Sequence, residues 1–165
     1  MCIIKELELP KEIANLKDNE VIFGYKWLMV DLVPHLGYIS PAKLFRYKED
    51  TEYETNGATI LVLRPNPLQH TFTNEKGKEE YKAGFHLYRD KNDAIKFGMS
   101  YESIVVMEFK FLKRHIQTFG LDDYDVRPLG FRRMEVEDYP ETFVVSKVFD
   151  GKVIKDNRRP VYTTI

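Results

Sequence analysis

The sequence predicts an α+β fold, in which mixed or antiparallel β-sheets of about seven to eight short strands are accompanied by two to three short helices. Aromatic and β-branched runs of strand length recur along the chain, most densely in its second half. Helical spacing of apolar residues is confined to short segments. The strands do not alternate with long helices, which argues against a doubly wound parallel sheet. The chain has 165 residues and no linker-like stretch, so residues 1–165 are expected to form a single domain.

The first elements are a short helix and a long strand. Pro10 suits the first turn of a helix, and Ile13 and Leu16 lie three residues apart on one face. A helix is therefore predicted near residues 10–18. The aromatic and β-branched run at 21–30 predicts a buried strand.

The middle of the chain is predicted to be irregular around one compact strand. Residues 43–55 are polar and rich in tyrosine, which favours a loop with a short strand. The run TILVL at 59–63 favours a buried strand. Residues 64–82 contain two prolines and a charged, glycine-containing run, which predicts an excursion away from the core.

A strand that leads into a capped helix is the most clearly encoded corner. The strand is predicted at 84–88, with the sequence GFHLY. Asp90 is placed as the N-cap of the helix, and Asp93 follows three residues later in the geometry of a capping box. The helix is expected to run to Phe97, and Gly98 to stop it.

The second half is predicted to be mostly β. A strand is expected at 103–112, continuing after a kink into HIQTFG at 115–120. Further short strands are expected at 131–137, 142–149 and 152–155. The last two are predicted to form a hairpin, because Asp150-Gly151 between two such runs is a strong turn signal.

Bulk composition excludes several classes of function. There are 25 basic against 26 acidic residues, so no global charge steers the chain to nucleic acid or to anionic membranes. The single cysteine, Cys2, excludes an internal disulfide framework and a multi-cysteine zinc site. The N-terminal segment does not resemble a signal peptide, and no apolar run is long enough to span a membrane. A soluble, cytoplasmic protein of a bacterium or an infected cell is expected.

The histidines give no metal site, because His35, His70, His86 and His115 lack metal-ligand spacing. We therefore expect no metal. Only His86 lies in a strongly structured motif. Its imidazole either points into a cleft at the end of the strand or satisfies a backbone group at the corner.

Carboxylates offer two further candidates. Residues 122–125, DDYD, could hold a hard cation but lack the pattern of a calcium loop, so a solvated turn is favoured. Glu135 and Glu137 lie two apart on a predicted strand and share one side of it. They could supply a base or bind a ribose. Alternatively, they belong to an exposed face paired with Arg132 and Arg133.

Nucleotide-hydrolysis and serine-hydrolase chemistry lack support, because no glycine-rich phosphate loop and no nucleophile elbow occurs. The basic stretch at 152–159 is expected to be solvated, which leaves nucleic acid as a minor partner option.

Two fragments carry a resemblance. The segments GYKWL at 24–28 and KAGFHLYRDKNDAIKFG at 82–98 together resemble a family of small phage and bacterial domains. The resemblance implies an accessory protein that acts by binding a host or defence protein. It leaves the oligomeric state open and implies no cofactor.

The corner at 84–98 is also similar to an element of ADP-ribosyltransferase-like folds. As an alternative, this similarity implies an enzyme that uses NAD. The catalytic residues that it implies are Lys26, His86, Glu135 and Glu137. The cofactor-binding residues that it implies are Tyr25, Ser40 and Tyr88.

Overall fold

The computed structural model describes residues 3–30, 37–40, 46–55, 59–61, 80–82, 84–98, 104–122 and 139–156. The strands in these ranges are β1 (Ile3–Glu6), β2 (Val21–Val30), β3 (Tyr38–Ile39), β4 (Arg46–Tyr47), β5 (Tyr53–Glu54), β6 (Thr59–Leu61), β7 (Glu80–Lys82), β8 (Phe85–Tyr88), β9 (Ile104–Leu112), β10 (Ile116–Asp122), β11 (Glu141–Val145) and β12 (Lys147–Asp156). The helices in these ranges are α1 (Lys11–Ala14) and α2 (Lys91–Gly98), with a 3-10 turn at Lys113–His115.

One large antiparallel sheet dominates the described residues. Its strand order is β1-β10-β11-β8-β2-β9-β12-β5, and β3 and β4 extend it beside the end of β2. The eight strands curl into a half-barrel. β6 and β7 form a separate two-stranded sheet. Strands distant in sequence therefore lie side by side, and β2 pairs with β9 along almost its whole length.

The two faces of the large sheet carry different cores, because successive residues of a strand point to opposite faces. The inner face of the curl is filled by Ile22, Leu28, Tyr47, Phe85, Leu87, Val105, Met107, Phe109, Phe111, Phe119, Phe143, Val145 and Val148. On the outer face, α2 covers Trp27, Ile104 and Val106. Helix α2 thus sits over parts of β2, β8 and β9.

The α+β prediction is wrong, since the structure is β-rich: twelve strands accompany only two α-helices among the described residues. The physical reason is that every described pairing in this sheet is antiparallel, and antiparallel neighbours do not require the helical crossover that parallel neighbours need. Strands of two residues, such as β4 and β5, also arise in the polar segment at 43–55, where backbone pairing outweighs a weak sequence pattern.

The two helices differ from their predictions in length. Helix α1 has four residues rather than the nine expected at 10–18, and Leu16 N–H already donates to the Ile13 carbonyl in a tighter turn. The N-cap of α2 is confirmed, because Asp90 Oδ1 accepts the Asn92 N–H at 2.7 Å. Gly98 lies inside the helix rather than beyond it. A Cβ there would stand 2.7 Å from Trp27 Cβ, so close packing on β2 requires glycine.

The predicted hairpin at Asp150-Gly151 is wrong, because β12 continues through both residues. They form an irregularity in its pairing with β9, where the register shifts between Phe149 and Lys152. Asp150 has φ +50°, which accommodates the extra residue of a bulge. The Asp-Gly pair correctly indicates a residue with positive φ, but such a residue occurs in β-bulges as well as in hairpin turns.

The strands predicted at 21–30, 84–88 and 103–112 are confirmed, with small differences at their ends. The continuation at 115–120 is confirmed as β10, after the 3-10 turn. The predicted strand at 131–137 lies outside the described residues. Asp122 does not belong to a solvated turn: it ends β10 and is fully buried, because β1 pairs along its side of the sheet.

Candidate functional site

A cleft of about 610 Å³ opens beside the N-terminal end of α2. It is lined by Tyr25, Arg89, Asp90, Lys91, Asp93, Tyr139, Pro140 and Glu141. The topology assembles this lining from three places. Strand β2 supplies Tyr25, and the start of β11 with the two residues before it supplies Tyr139, Pro140 and Glu141. The β8–α2 corner and the first turn of α2 supply the other four residues, all of them charged.

Arg89 is fixed at one wall of the cleft by two carboxylates. Its Nη1 donates to Glu141 Oε2 at 2.6 Å, and its Nη2 donates to Glu12 of α1. Its backbone N–H also donates to the Glu141 carbonyl at 2.9 Å, which continues the β8–β11 pairing. The guanidinium is therefore already neutralised, and it holds the Glu141 side chain in place.

Tyr25 stands at the boundary between the cleft and the part of the sheet that α2 covers. Burial raises its pKa, and the charge of Glu108 on β9, which accepts a hydrogen bond from the phenol, raises it further. Glu108 is the residue opposite Tyr25 across the two strands. The Tyr25 hydroxyl is thus a neutral donor, and its ring is held in one orientation.

Asp93 carries the clearest electrostatic signature in the cleft. Burial raises its pKa, the neighbouring charge of Asp90 raises it further, and Glu141 adds to this while Lys96 acts in the opposite sense. Burial is the largest of these causes, and the charges of Asp90 and Glu141 add a contribution that a nearby cation would offset. The cleft therefore favours a cation.

The raised pKa gives Asp93→Asn a pH-dependent effect on stability. A folded-state pKa above the unfolded value means that the folded protein binds the proton more tightly, so the ionised carboxylate opposes folding at neutral pH. We expect the substitution to raise the free energy of unfolding at about pH 7. The gain should shrink toward about pH 4, near the usual pKa of aspartate. Urea unfolding of both proteins at the two pH values measures it.

Glu8 is exposed and provides the matched control. Glu8→Gln should show no comparable gain at neutral pH. A loss of stability for Asp93→Asn at neutral pH, or a gain that is the same at both pH values, would contradict the assignment of excess negative charge to the cleft.

The residues implied by the transferase similarity lie in different surroundings. Tyr25 lines the cleft. Tyr88 is its cross-strand partner but is buried, with its ring tilted against Phe97 of α2. Ser40 is buried after β3. Glu135 and Glu137 lie outside the described residues.

Lys26 belongs to the inner face, on the side of β2 opposite to Tyr25. It is 4% exposed, and its Nζ donates to the backbone carbonyl of His86 at 3.1 Å. This bond forms where β2 and β8 diverge, since their one registered pair is Tyr25 with Tyr88. The lysine thus satisfies a main-chain acceptor. His86 is also buried, and its imidazole follows Tyr88 toward the outer face.

Sequence reasoning missed most of the cleft. Asp90 and Asp93 were recognised only as helix-capping residues, although a capped helix start next to a strand end also places carboxylates at a sheet surface. No pattern pointed to Arg89 or Glu141, whose ion pair joins residues 52 positions apart. Their adjacency depends on the β8–β11 register, which the local sequence does not encode.

Within the described ranges, no group of three or more histidine, cysteine or acidic side chains is arranged to hold a metal ion. In the same ranges, neither helix has the length or the apolar character needed to cross a membrane. Comparisons with protein-family models, with curated proteins and with solved structures found no match to this chain.

Proposed function

We propose that the protein is a binding protein whose cleft beside the start of α2 receives a cationic side chain, lysine or arginine, from a partner protein. One observation carries this proposal. The carboxylates of Asp90 and Asp93 share the cleft with two tyrosines, and the arginine in its wall is already paired with two further carboxylates, those of Glu141 and Glu12.

The electrostatics support a cation rather than an anion. Burial is the main cause of the raised pKa of Asp93, and a ligand cation would offset the additional contribution of the Asp90 and Glu141 charges. An anionic ligand would have to displace Glu12 or Glu141 from Arg89. Lys91 is the other basic residue in the lining, and it lies on the exposed first turn of α2.

Aromatic rings add a second source of affinity. A cation held against a tyrosine face gains about 0.5–2 kcal/mol, depending on how far it is desolvated. Tyr25 is suited to this role, because its hydrogen bond to Glu108 keeps the ring fixed before a ligand arrives. Arginine is the better candidate of the two side chains, since its planar guanidinium both stacks on rings and forks onto carboxylates.

The resemblance to phage and bacterial accessory domains supplies a setting for this proposal: a partner protein in the cytoplasm, contacted through a basic side chain. The transferase alternative gains no comparable support. It needs Lys26 beside the cleft, but the Lys26 ammonium contacts a backbone carbonyl from the other face of the sheet.

The proposal is tested by an NMR titration of the full chain with short peptides. The probes are acetyl-Gly-Arg-Gly-amide, its lysine counterpart and its citrulline counterpart, in which an uncharged urea replaces the guanidinium. We expect the arginine and lysine peptides to shift the amide signals of Tyr25, Asp93 and Glu141. The shifts should weaken as salt is raised, because the attraction is screened.

Asp93→Asn should weaken binding of the arginine peptide by about three- to fivefold, which corresponds to about 0.6–1 kcal/mol. Glu8→Gln removes the same charge from an exposed position outside the cleft and should leave the affinity unchanged. Equal shifts with the citrulline peptide, or equal affinities for both variants, would refute the proposal. Shifts with NAD in place of the peptides would support the transferase alternative instead.

A further inference from the structure

The outer face of the sheet continues past the cleft as a partly apolar surface. The β2–β9 register places Phe23 opposite Lys110 and Val21 opposite Leu112. The β9–β12 register adds Phe149 beside Lys110. We call Val21, Phe23, Leu112 and Phe149 the apolar strip.

Two side chains of the strip are exposed to solvent, although α2 covers the same face of the sheet further along β2. Val21 is 46% exposed and Phe23 is 44% exposed, whereas Trp27 further along β2 is 2% exposed beneath α2. Helix α2 has eight residues, so it spans about 12 Å. Strand β2 has ten residues and spans about 33 Å. The helical layer over this face is therefore shorter than the strands beneath it.

We propose that the apolar strip is the docking surface for an amphipathic helix of the partner protein, the same partner whose basic side chain enters the cleft. This inference rests on the proposed function and specifies the class of partner. An extended segment fits less well, because it gains its backbone hydrogen bonds at a sheet edge, and the strip lies on a face. A helix satisfies its own backbone and buries one stripe of side chains.

The spacing of the strip relative to the cleft fits a helix that runs along β2. Phe23 and Val21 are two and four residues from Tyr25, or about 6.7 and 13 Å along the strand. Side chains four and eight positions apart on a helix are separated by about 6 and 12 Å. A basic residue in the cleft would thus be separated by four and eight positions from the apolar residues that cover Phe23 and Val21.

The charges around the strip indicate which end and which flank of that helix carry basic and acidic residues. Acidic residues lie at its cleft end, where Glu108 and the cleft carboxylates meet. On the β12 side, the exposed Lys152 lies opposite Glu108. Lys110 lies within the strip, between Phe23 and Phe149, and is joined to Asp150 at 3.4 Å. The complementary helix is basic at the end near Tyr25 and acidic on the flank that faces β12.

The test is a display selection of helix-forming peptides of about 16 residues, with the full chain as bait. We expect enriched peptides to carry a basic residue separated by four and eight positions, in one chain direction, from apolar residues. Their affinity for a Phe23→Asp bait should be lower by about tenfold or more. Ile154→Asp is the matched control, because Ile154 is a 39% exposed apolar residue of β12 outside the strip. The enriched peptides should bind the Ile154→Asp variant with the same affinity as the parent chain.

Thermal unfolding of Phe23→Asp establishes that this variant is folded, and Val21→Asp repeats the test at a second position. The inference is overturned if no peptides are enriched over a Phe23→Asp bait, or if the enriched peptides bind Phe23→Asp and Ile154→Asp equally. It is also overturned if light scattering shows a dimer of the parent chain that Phe23→Asp dissolves, because a second copy would then occupy the strip.

The two proposals fail separately. Enriched peptides with an apolar stripe but no basic residue would contradict the cationic cleft and leave the docking strip supported. Peptides that depend on Asp93 but not on Phe23 would do the reverse.

Discussion

Phe143→Ala is expected to lower the free energy of unfolding by about 3–5 kcal/mol, the usual range when a fully buried phenylalanine is truncated in a core that relaxes only in part. Phe143 is 0% exposed. It lies on β11 in the middle of the inner-face core, with ring centroids 5.2 Å from Phe111 and 5.0 Å from Phe119. Urea unfolding followed by the fluorescence of Trp27, the single tryptophan, measures the change.

Phe23→Ala is the matched control for this prediction. It removes the same atoms from a side chain that is 44% exposed on the outer face. It should therefore change the free energy of unfolding by no more than about 0.5 kcal/mol. Similar losses for the two variants would show that the inner-face cluster is not the core that stabilises the sheet. A fall in the denaturant slope for Phe143→Ala would show instead that the change affects compactness as well as stability.

Gly24→Ala is expected to lower the free energy of unfolding by about 1–3 kcal/mol through overpacking, although alanine loses less backbone entropy than glycine on folding. Gly24 lies on the inner face of β2. A Cβ at this position would stand 2.7 Å from Leu87 Cβ and 3.0 Å from a ring carbon of Phe111. Leu87 Cβ is fixed to the β8 backbone, so the added methyl group can be relieved only by moving β2 and β8 apart.

Amide hydrogen exchange locates that cost as well as measuring it. In Gly24→Ala, the amides of β8 should lose more protection than those of β12, which lies beyond β9 on the other side of β2. Val21→Ala is a control on the same strand at a 46% exposed position, and it should change stability by no more than about 0.5 kcal/mol. An unchanged or raised unfolding midpoint for Gly24→Ala would contradict the close approach of these two strands.

Local sequence was sufficient for elements whose side chains encode them directly. The strand at 21–30 is rich in aromatic and β-branched residues, and the helix after Asp90 carries its own cap. It was insufficient where pairing decides the structure. The pairing of β2 with β9 joins segments about eighty residues apart, and the bulge at Asp150 exists only relative to the register of β9. The α+β prediction is wrong for this reason, since it rests on the pattern of each single element and not on how the strands pair.

The candidate site shows the same division. Tyr25 was singled out through the transferase similarity, and Asp90 and Asp93 were singled out as capping residues. What makes these residues a cleft is their position next to Glu141, and that position follows from the β8–β11 register. Lys26 was singled out beside Tyr25, yet adjacent residues of a strand face opposite sides. A one-residue difference therefore separates a cleft residue from a core residue.

The sparse pairing between β2 and β8 has a mechanical consequence. It divides the large sheet into two leaves, β1-β10-β11-β8 and β2-β9-β12-β5, whose backbones share one registered pair. Across this join, Lys26 also donates to the His86 carbonyl, and Phe111 packs on Phe143 in the inner-face core. The cleft straddles this join, with Tyr25 on one leaf and Glu141 on the other. A ligand that contacts both leaves would link them, because its binding free energy would add to the free energy needed to separate them.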